Sequence, residues 1–305
     1  MTNPIQILPV ERTRSCVVAL HCSLGSGRQW TRLAAELGSD HEVIAPDLSG
    51  YGNNPGPFDL PTTLAQEVEL LAERLYDANG PIHLVGHSYG GALAFKIATR
   101  SPFASRVRSL TLIEPVLPTL LRDSATDRRL YDRFVRVAHD VYADLWKGLA
   151  LEAIDKFTDF WNGSGPAEQL SPNARVRMIE HADKVAFDFT SVLAEENVEA
   201  AAANLRVPTL LVSGGLSPYL TQRIVGRLAL IIEGAEIRHL RGAGHMLPIT
   251  HAPAVNPWIR RHIARADELA GLTLASGQTA AALPQLDWRD ALLQNPDIGT
   301  VTSRQ

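Results

Sequence analysis

Cysteine is nearly absent: Cys16 and Cys22 are the only two in 305 residues. That count excludes a disulfide framework and reads as two buried free thiols in a reducing compartment. Long apolar runs are missing too, so no segment is expected to span a bilayer. The opening Met1-Thr2-Asn3-Pro4-Ile5 lacks the basic stretch and apolar stretch of a secretory leader. A soluble, cytoplasmic protein without membrane partners is the expectation. Positive charge is not in excess either: the net charge of −4 gives no reason to expect nucleic acid as a partner. The ten histidines show no close pairing with cysteine or carboxylate of the kind a metal cage needs. No metal and no cofactor are expected.

What is present is the material of a full globular core, 45% apolar and 20% charged residues. The length suits one large domain, or one domain carrying a sizeable insertion. Short branched apolar runs read as buried strands at residues 5–10, 16–20, 42–45, 82–85, 107–113, 208–212 and 236–240. Between them lie stretches of helical spacing, such as 62–76 with Leu64, Val68, Leu71 and Leu75 at intervals of three and four. Others are expected at 92–98, 220–231 and 254–265. Strand and helix in repeated alternation predict an α/β fold, a mostly parallel sheet flanked by helices. From 117 to 203 the pattern changes to helix alone, with aromatics at turn-like intervals. Residues 266–305 hold Gly, Pro, Gln and Asp with short apolar runs, and read as a peripheral extension with one helix near 288–293.

One stretch carries chemistry. Gly86-His87-Ser88-Tyr89-Gly90 stands between a strand and a helix and fits the Gly-x-Ser-x-Gly elbow that presents a serine. The turn is so tight that side chains two positions either side of Ser88 would collide, which is why both are glycine. With this motif in its strand-turn-helix context, the chain resembles the α/β-hydrolase superfamily over residues 5–265. The resemblance implies a hydrolase core at 1–116 and 204–265, an inserted helical lid at 117–203, and an extension at 266–305.

The same resemblance assigns roles. Ser88 is the nucleophile, and His245, in Arg241-Gly242-Ala243-Gly244-His245-Met246, is its base. The oxyanion donors are the backbone N–H groups of Ser23 and Tyr89. At two places the chain departs from the family. Cys22 replaces the glycine usual after His21, which calls the loop geometry into question because a Cβ restricts φ. Ser217 stands where most members carry the triad aspartate, in Gly214-Gly215-Leu216-Ser217-Pro218. Some haloalkane dehalogenases of this fold carry the acid at the end of the strand after the nucleophile, and Glu114-Pro115 fits that place here. The serine nucleophile sets the chain apart from the dehalogenases and epoxide hydrolases themselves, which use aspartate. The expected triad is therefore Ser88, His245 and Glu114. Most lid aromatics are expected to form a small core, while Trp161 and Phe187, with Met246, are candidates for an apolar substrate pocket. The expected activity is hydrolysis of a small-molecule carboxylic ester bearing an apolar group. Lactones, carbon–carbon bonds, a lyase reaction, and a ligand-binding protein with slow or no turnover remain open on the sequence.

Overall fold

A computed structural model of the chain describes residues 15–56, 61–78, 80–163 and 171–275, the last four by backbone alone. The strand expected at 5–10 and the helix expected near 288–293 lie outside the described residues. Six strands form one sheet: β1 (Cys16–Leu20), β2 (Glu42–Ile44), β3 (Ile82–His87), β4 (Val107–Ile113), β5 (Thr209–Gly214) and β6 (Glu236–Leu240). Their order is β2-β1-β3-β4-β5-β6 and every pairing is parallel. The sheet matches the α/β architecture that the alternation predicts.

Parallel strands need crossovers, and these are helices. They are α1 (Thr31–Leu37), α2 (Leu64–Leu70), α3 (Ala72–Asp77), α4 (Tyr89–Arg100), α5 (Arg128–Trp146), α6 (Ala150–Asn162), α7 (Pro172–Glu180), α8 (Ala182–Leu193), α9 (Val198–Ala203) and α10 (Tyr219–Ile231), while α11 (Leu247–Thr250) and α12 (Ala252–Ala275) follow the last strand. Alternate residues of each central strand point to opposite faces. Thus Val18, Leu20 and Leu84 join the core under α2, α4 and α10, whereas Val17, Ala19 and Val85 pack with Trp30, Leu33, Val255 and Ile259 beneath α1 and α12. Because both faces are covered, the central strands read as unbroken apolar runs rather than alternating ones. Five consecutive helices, α5 to α9, lie between β4 and β5, the stretch in which the sequence shows no strand. Among the described residues no helix is long and apolar enough to cross a membrane.

Two expected elements differ in extent. The helix expected at 62–76 is divided at Leu71 into α2 and α3; Thr63 starts it with a reciprocal capping box to Gln66. The last helix continues ten residues past the expected end at 265, so the boundary drawn at 265/266 falls inside α12. Tertiary bonds explain the continuation. Ile263 and Ala266 are buried, and the Asp267 carboxylate accepts from Ser15 Oγ (3.2 Å), His41 Nε2 (3.0 Å), His83 Nε2 (3.2 Å) and Arg108 Nη1 (2.7 Å). One side chain thereby ties α12 to the N-terminal ends of the first four strands.

Burial by itself would raise the Asp267 pKa, but these hydrogen bonds outweigh it and hold the carboxyl well below the usual carboxylate range. A depressed acid stabilises the fold above its unfolded pKa and loses that contribution as pH falls toward the folded value. Asp267→Ala is therefore expected to lower unfolding free energy by about 1–2 kcal/mol at neutral pH, less than for a fully buried ion pair because the carboxylate is partly open to solvent. Urea titrations at several pH values check this, with the gap from the parent protein narrowing below about pH 4.

Candidate active site

The site forms at the C-terminal ends of β1, β3, β4, β5 and β6, where ligands bind in open parallel sheets. Ser88 sits between β3 and α4 at φ 57°, ψ −118°, a conformation L-residues rarely adopt. The close approach of neighbouring backbone fixes its flanks. A Cβ on Gly86 would lie 2.3 Å from the Gly90 carbonyl oxygen, and one on Gly90 would lie 2.4 Å from the carbonyls of Leu20 and His21. Only glycine fits either position.

The Ser88 hydroxyl lies 2.9 Å from His245 Nε2, and His245 Nδ1 lies 2.6 Å from Glu114 Oε2. All three side chains are buried. Glu114 follows β4 in the left-handed region at φ 47°. Its other oxygen accepts the Gly214 N–H at 2.6 Å, and Thr221 Oγ1 donates to Oε2 at 3.3 Å. The carboxylate therefore reaches across to the end of β5. Ser217, at the position usual for the acid, is buried, and among the described residues its hydroxyl has no partner. Asp188, another acid near the site, does not approach His245; it belongs to a separate cluster described below.

The backbone around Ser88 supplies donors. Tyr89 N–H opens α4, at the positive end of the helix dipole. Among the described residues, neither this N–H nor that of Ser23 donates to another protein group. Cys22 is not at positive φ, and the left-handed conformation falls instead on Leu24 at φ 59°. The loop is braced at both ends. His21 Nδ1 donates to the Cys22 carbonyl at 2.7 Å while its Nε2 accepts the Leu48 N–H at 2.9 Å. Burial lowers the His21 pKa to about 4, so the ring is neutral and can play both parts. Gln29 Oε1 accepts from Cys22 N and Sγ, each at 3.3 Å, and Gln29 Nε2 donates to His87 Nδ1 at 3.2 Å. His87 Nε2 in turn donates to the His245 carbonyl at 2.8 Å. This chain of bonds links the loop after β1 to the loop that carries His245. Burial pushes the Cys22 thiol up to about 12, so it is no nucleophile.

Behind Ser23 lies a charged cluster without exposure to solvent. Lys184 Nζ is 3.1 Å from Glu67 and contacts Asp188, and it lies over the Tyr89 ring at 4.8 Å. Asp188 Oδ2 accepts from Tyr51 OH at 2.6 Å and from Ser23 Oγ at 2.5 Å. Burial pulls the Lys184 pKa down, but the two carboxylates outweigh it and hold the group above its ordinary value. The sequence contained no local signal for this cluster, because its members come from α2, α8 and two loops. The spacing of Lys184 and Asp188, four apart on one helix, is its only trace.

Of the three residues expected to line a pocket, two do. Trp161 stacks on His245 with ring centroids 4.4 Å apart and an interplanar angle of 19°. With Met246, Phe157, Met178 and Ile249 it lines a cavity of about 880 Å³ that opens at Ser88. Phe187 does not. On α8 the positions facing the site are Val185, Asp188, Phe189 and Val192, and Phe187 lies about 100° round the helix from Asp188. Phe157, five residues before the end of its helix, takes the part expected of Phe187.

Comparison with known proteins agrees with this architecture. A model described as "Alpha/beta hydrolase family" matches residues 17–258. Lipase LipV of Mycobacterium tuberculosis is 37% identical over 102 residues, 33% of this chain; the chain spans only 37% of that lipase. A putative carbamate hydrolase, RutD of Klebsiella pneumoniae, is 26% identical over 271 residues, 84% of this chain and 94% of its own. In three dimensions MenH from S. aureus superposes with a TM-score of 0.67 at 17% identity, covering 84% of this chain and 95% of that one. With the sheet order, the elbow and a family match over more than two thirds of its length, the chain belongs to the alpha/beta hydrolase family.

Proposed function

We propose that this hydrolase is a serine esterase that cleaves small-molecule carboxylic esters through an acyl-enzyme on Ser88. The observation that carries the proposal is the continuous hydrogen-bonded line from Ser88 through His245 to Glu114, 2.9 Å and 2.6 Å in its two links. A serine hydroxyl is a weak nucleophile at neutral pH and needs a base within this reach. His245 Nε2 takes the proton as Ser88 Oγ attacks the ester carbonyl. The imidazolium so formed faces the Glu114 carboxylate on one side and the Trp161 ring on the other, and both stabilise positive charge. The oxygen of the tetrahedral intermediate is taken by the N–H groups of Ser23 and Tyr89. His245 then returns its proton to the leaving oxygen as the ester C–O bond breaks. Water, deprotonated by the same histidine, releases the acid and restores Ser88.

In this reading residues 117–203 serve as a lid, since α6 brings Trp161 over His245 and α8 brings Asp188 against Ser23. The partner is a small molecule with an apolar group, seated in the 880 Å³ cavity. Glu114 takes the acid's role because β4 is beside β3 and glutamate spans the distance to His245.

The first test is labelling and turnover. A fluorophosphonate should label the parent protein, and p-nitrophenyl acetate should be hydrolysed; Ser88→Ala should lose both. Glu114→Gln preserves the shape but not the charge, and is expected to lower kcat about 10⁴-fold with little change in KM, as for the equivalent change in the best-studied triad. A loss of only a few-fold would remove Glu114 from this role. A protein that neither labels nor turns over would instead be a binding module on a hydrolase scaffold.

A second test separates the serine from the cysteines. Burial raises Cys16 to about 11 and Cys22 to about 12. Iodoacetamide at pH 8 should leave both thiols and the esterase activity intact in the native protein, while modifying both after denaturation in urea.

A further inference from the structure

Two cavities of very unequal size meet at Ser88. The larger, of about 880 Å³, is lined by His245, Met246, Ile249 and Thr250 on the side of the base. The smaller, of about 20 Å³, is lined by Ser88, Ser23 and Tyr89, and His245 is not among its walls. Ser23, Ser88, Phe157 and Trp161 border both.

The chemistry proposed above decides which part of an ester enters which cavity, and the inference rests on that reading. One histidine nitrogen takes the proton from Ser88 and delivers it to the leaving oxygen, so the leaving group must lie on the side of His245. With the carbonyl oxygen held at the Ser23 and Tyr89 amides, the substituent on the acyl carbon projects to the remaining side. That side is the small cavity. Its volume is a small fraction of the larger cavity's. Its far walls, Val116, Phe134, Phe189 and Val192, are all buried and belong to the close-packed core. Such walls do not yield cheaply to added methylenes.

We infer that the enzyme is specific for acetyl-sized acyl groups on bulky alcohols: a deacetylase of large apolar esters rather than a lipase of long acyl chains. The charge on the wall sharpens the class further. Asp188 borders the small cavity, and its oxygens already accept from Ser23 and Tyr51 and contact Lys184. A carboxylate on that wall opposes a second carboxylate brought in by the acyl part, so the acyl group is neutral as well as short. The alcohol, in contrast, has room for a ring system.

The experiment is a chain-length series on the full-length protein, using p-nitrophenyl acetate, butyrate and octanoate, with 4-methylumbelliferyl acetate as a bulkier leaving group. Expected is a fall in kcat/KM of at least about 100-fold from acetate to butyrate, the scale on which a tight pocket rejects added methylenes. Octanoate should be inert, and the two acetates should be hydrolysed within a few-fold of each other. Val192→Ala should raise the butyrate-to-acetate ratio at least tenfold relative to the parent. Taking the ratio between variants cancels differences in intrinsic ester reactivity. Phe157→Ala, at a half-buried position that folding tolerates better, should move the same ratio in the same direction. Butyrate or octanoate turned over within threefold of acetate, or both variants active with an unchanged ratio, overturns the inference while leaving the serine hydrolase intact. Labelling of Ser88 by a fluorophosphonate without turnover of either acetate also overturns it. Absence of labelling and of all turnover overturns the hydrolase reading and this inference together.

Discussion

The close passage of backbone around Ser88 is the constraint on which the site depends. The turn from β3 into α4 leaves no space for a Cβ at Gly86 or Gly90, because the carbonyls of Gly90, Leu20 and His21 occupy it. That contact brings the end of β1 against the start of α4. It also places the loop after β1, with Ser23, beside the amide of Tyr89. The strain at Ser88 is held by the hydrogen bonds on either side: Ser88 N–H to the Ile113 carbonyl at 3.0 Å, and the Ser88 carbonyl to the amides of Gly91 and Val116. Ser88 is thus pinned to the strand that ends in Glu114.

That pinning makes the position of the Glu114 carboxylate intelligible. β4 lies between β3 and β5 in the sheet, so a side chain at its end can bridge from the serine's strand toward the strand where the acid is usual. Glu114 does this with its oxygens shared among His245, Gly214 N–H and Thr221. Ser217, in the usual place, has been left without a hydrogen-bond partner among the described residues. A buried hydroxyl in that state costs stability.

The buried ions behind Ser23 have a different character. Taking Glu67, Lys184 and Asp188 out of water costs several kcal/mol per ion, and the gain from pairing rarely exceeds it by much. What the cluster supplies is position: a lysine neutralises the aspartate whose oxygen fixes the Ser23 side chain and the Tyr51 hydroxyl. An unneutralised carboxylate so near the proposed oxyanion site would oppose a negative charge developing there. The same aspartate borders the small cavity at Ser88, so in the proposed reading support of the loop and selection of the acyl group act through one residue.

Much of this was legible in the sequence wherever the cause is local. Unbroken branched runs gave the central strands because both faces of a parallel sheet are buried. The glycines of the elbow follow from sterics within five residues, and Glu114 was readable from its place at a strand end combined with the serine at 217. Contacts between distant segments were not legible. Phe187 and Phe189 are equally apolar neighbours, and only the rotation of α8 against the sheet decides that Phe189 faces Ser88. Residue 267 has no local feature to mark it; the fold gathers Ser15, His41, His83 and Arg108 around it and so carries α12 past its expected end. By itself the sequence determined which residue types could do chemistry and on which strand ends they fall, because local sterics and burial set those. The tertiary structure alone decided which of them meet, how large the space on each side of Ser88 is, and where buried charge is balanced, because those depend on packing between elements far apart in the chain.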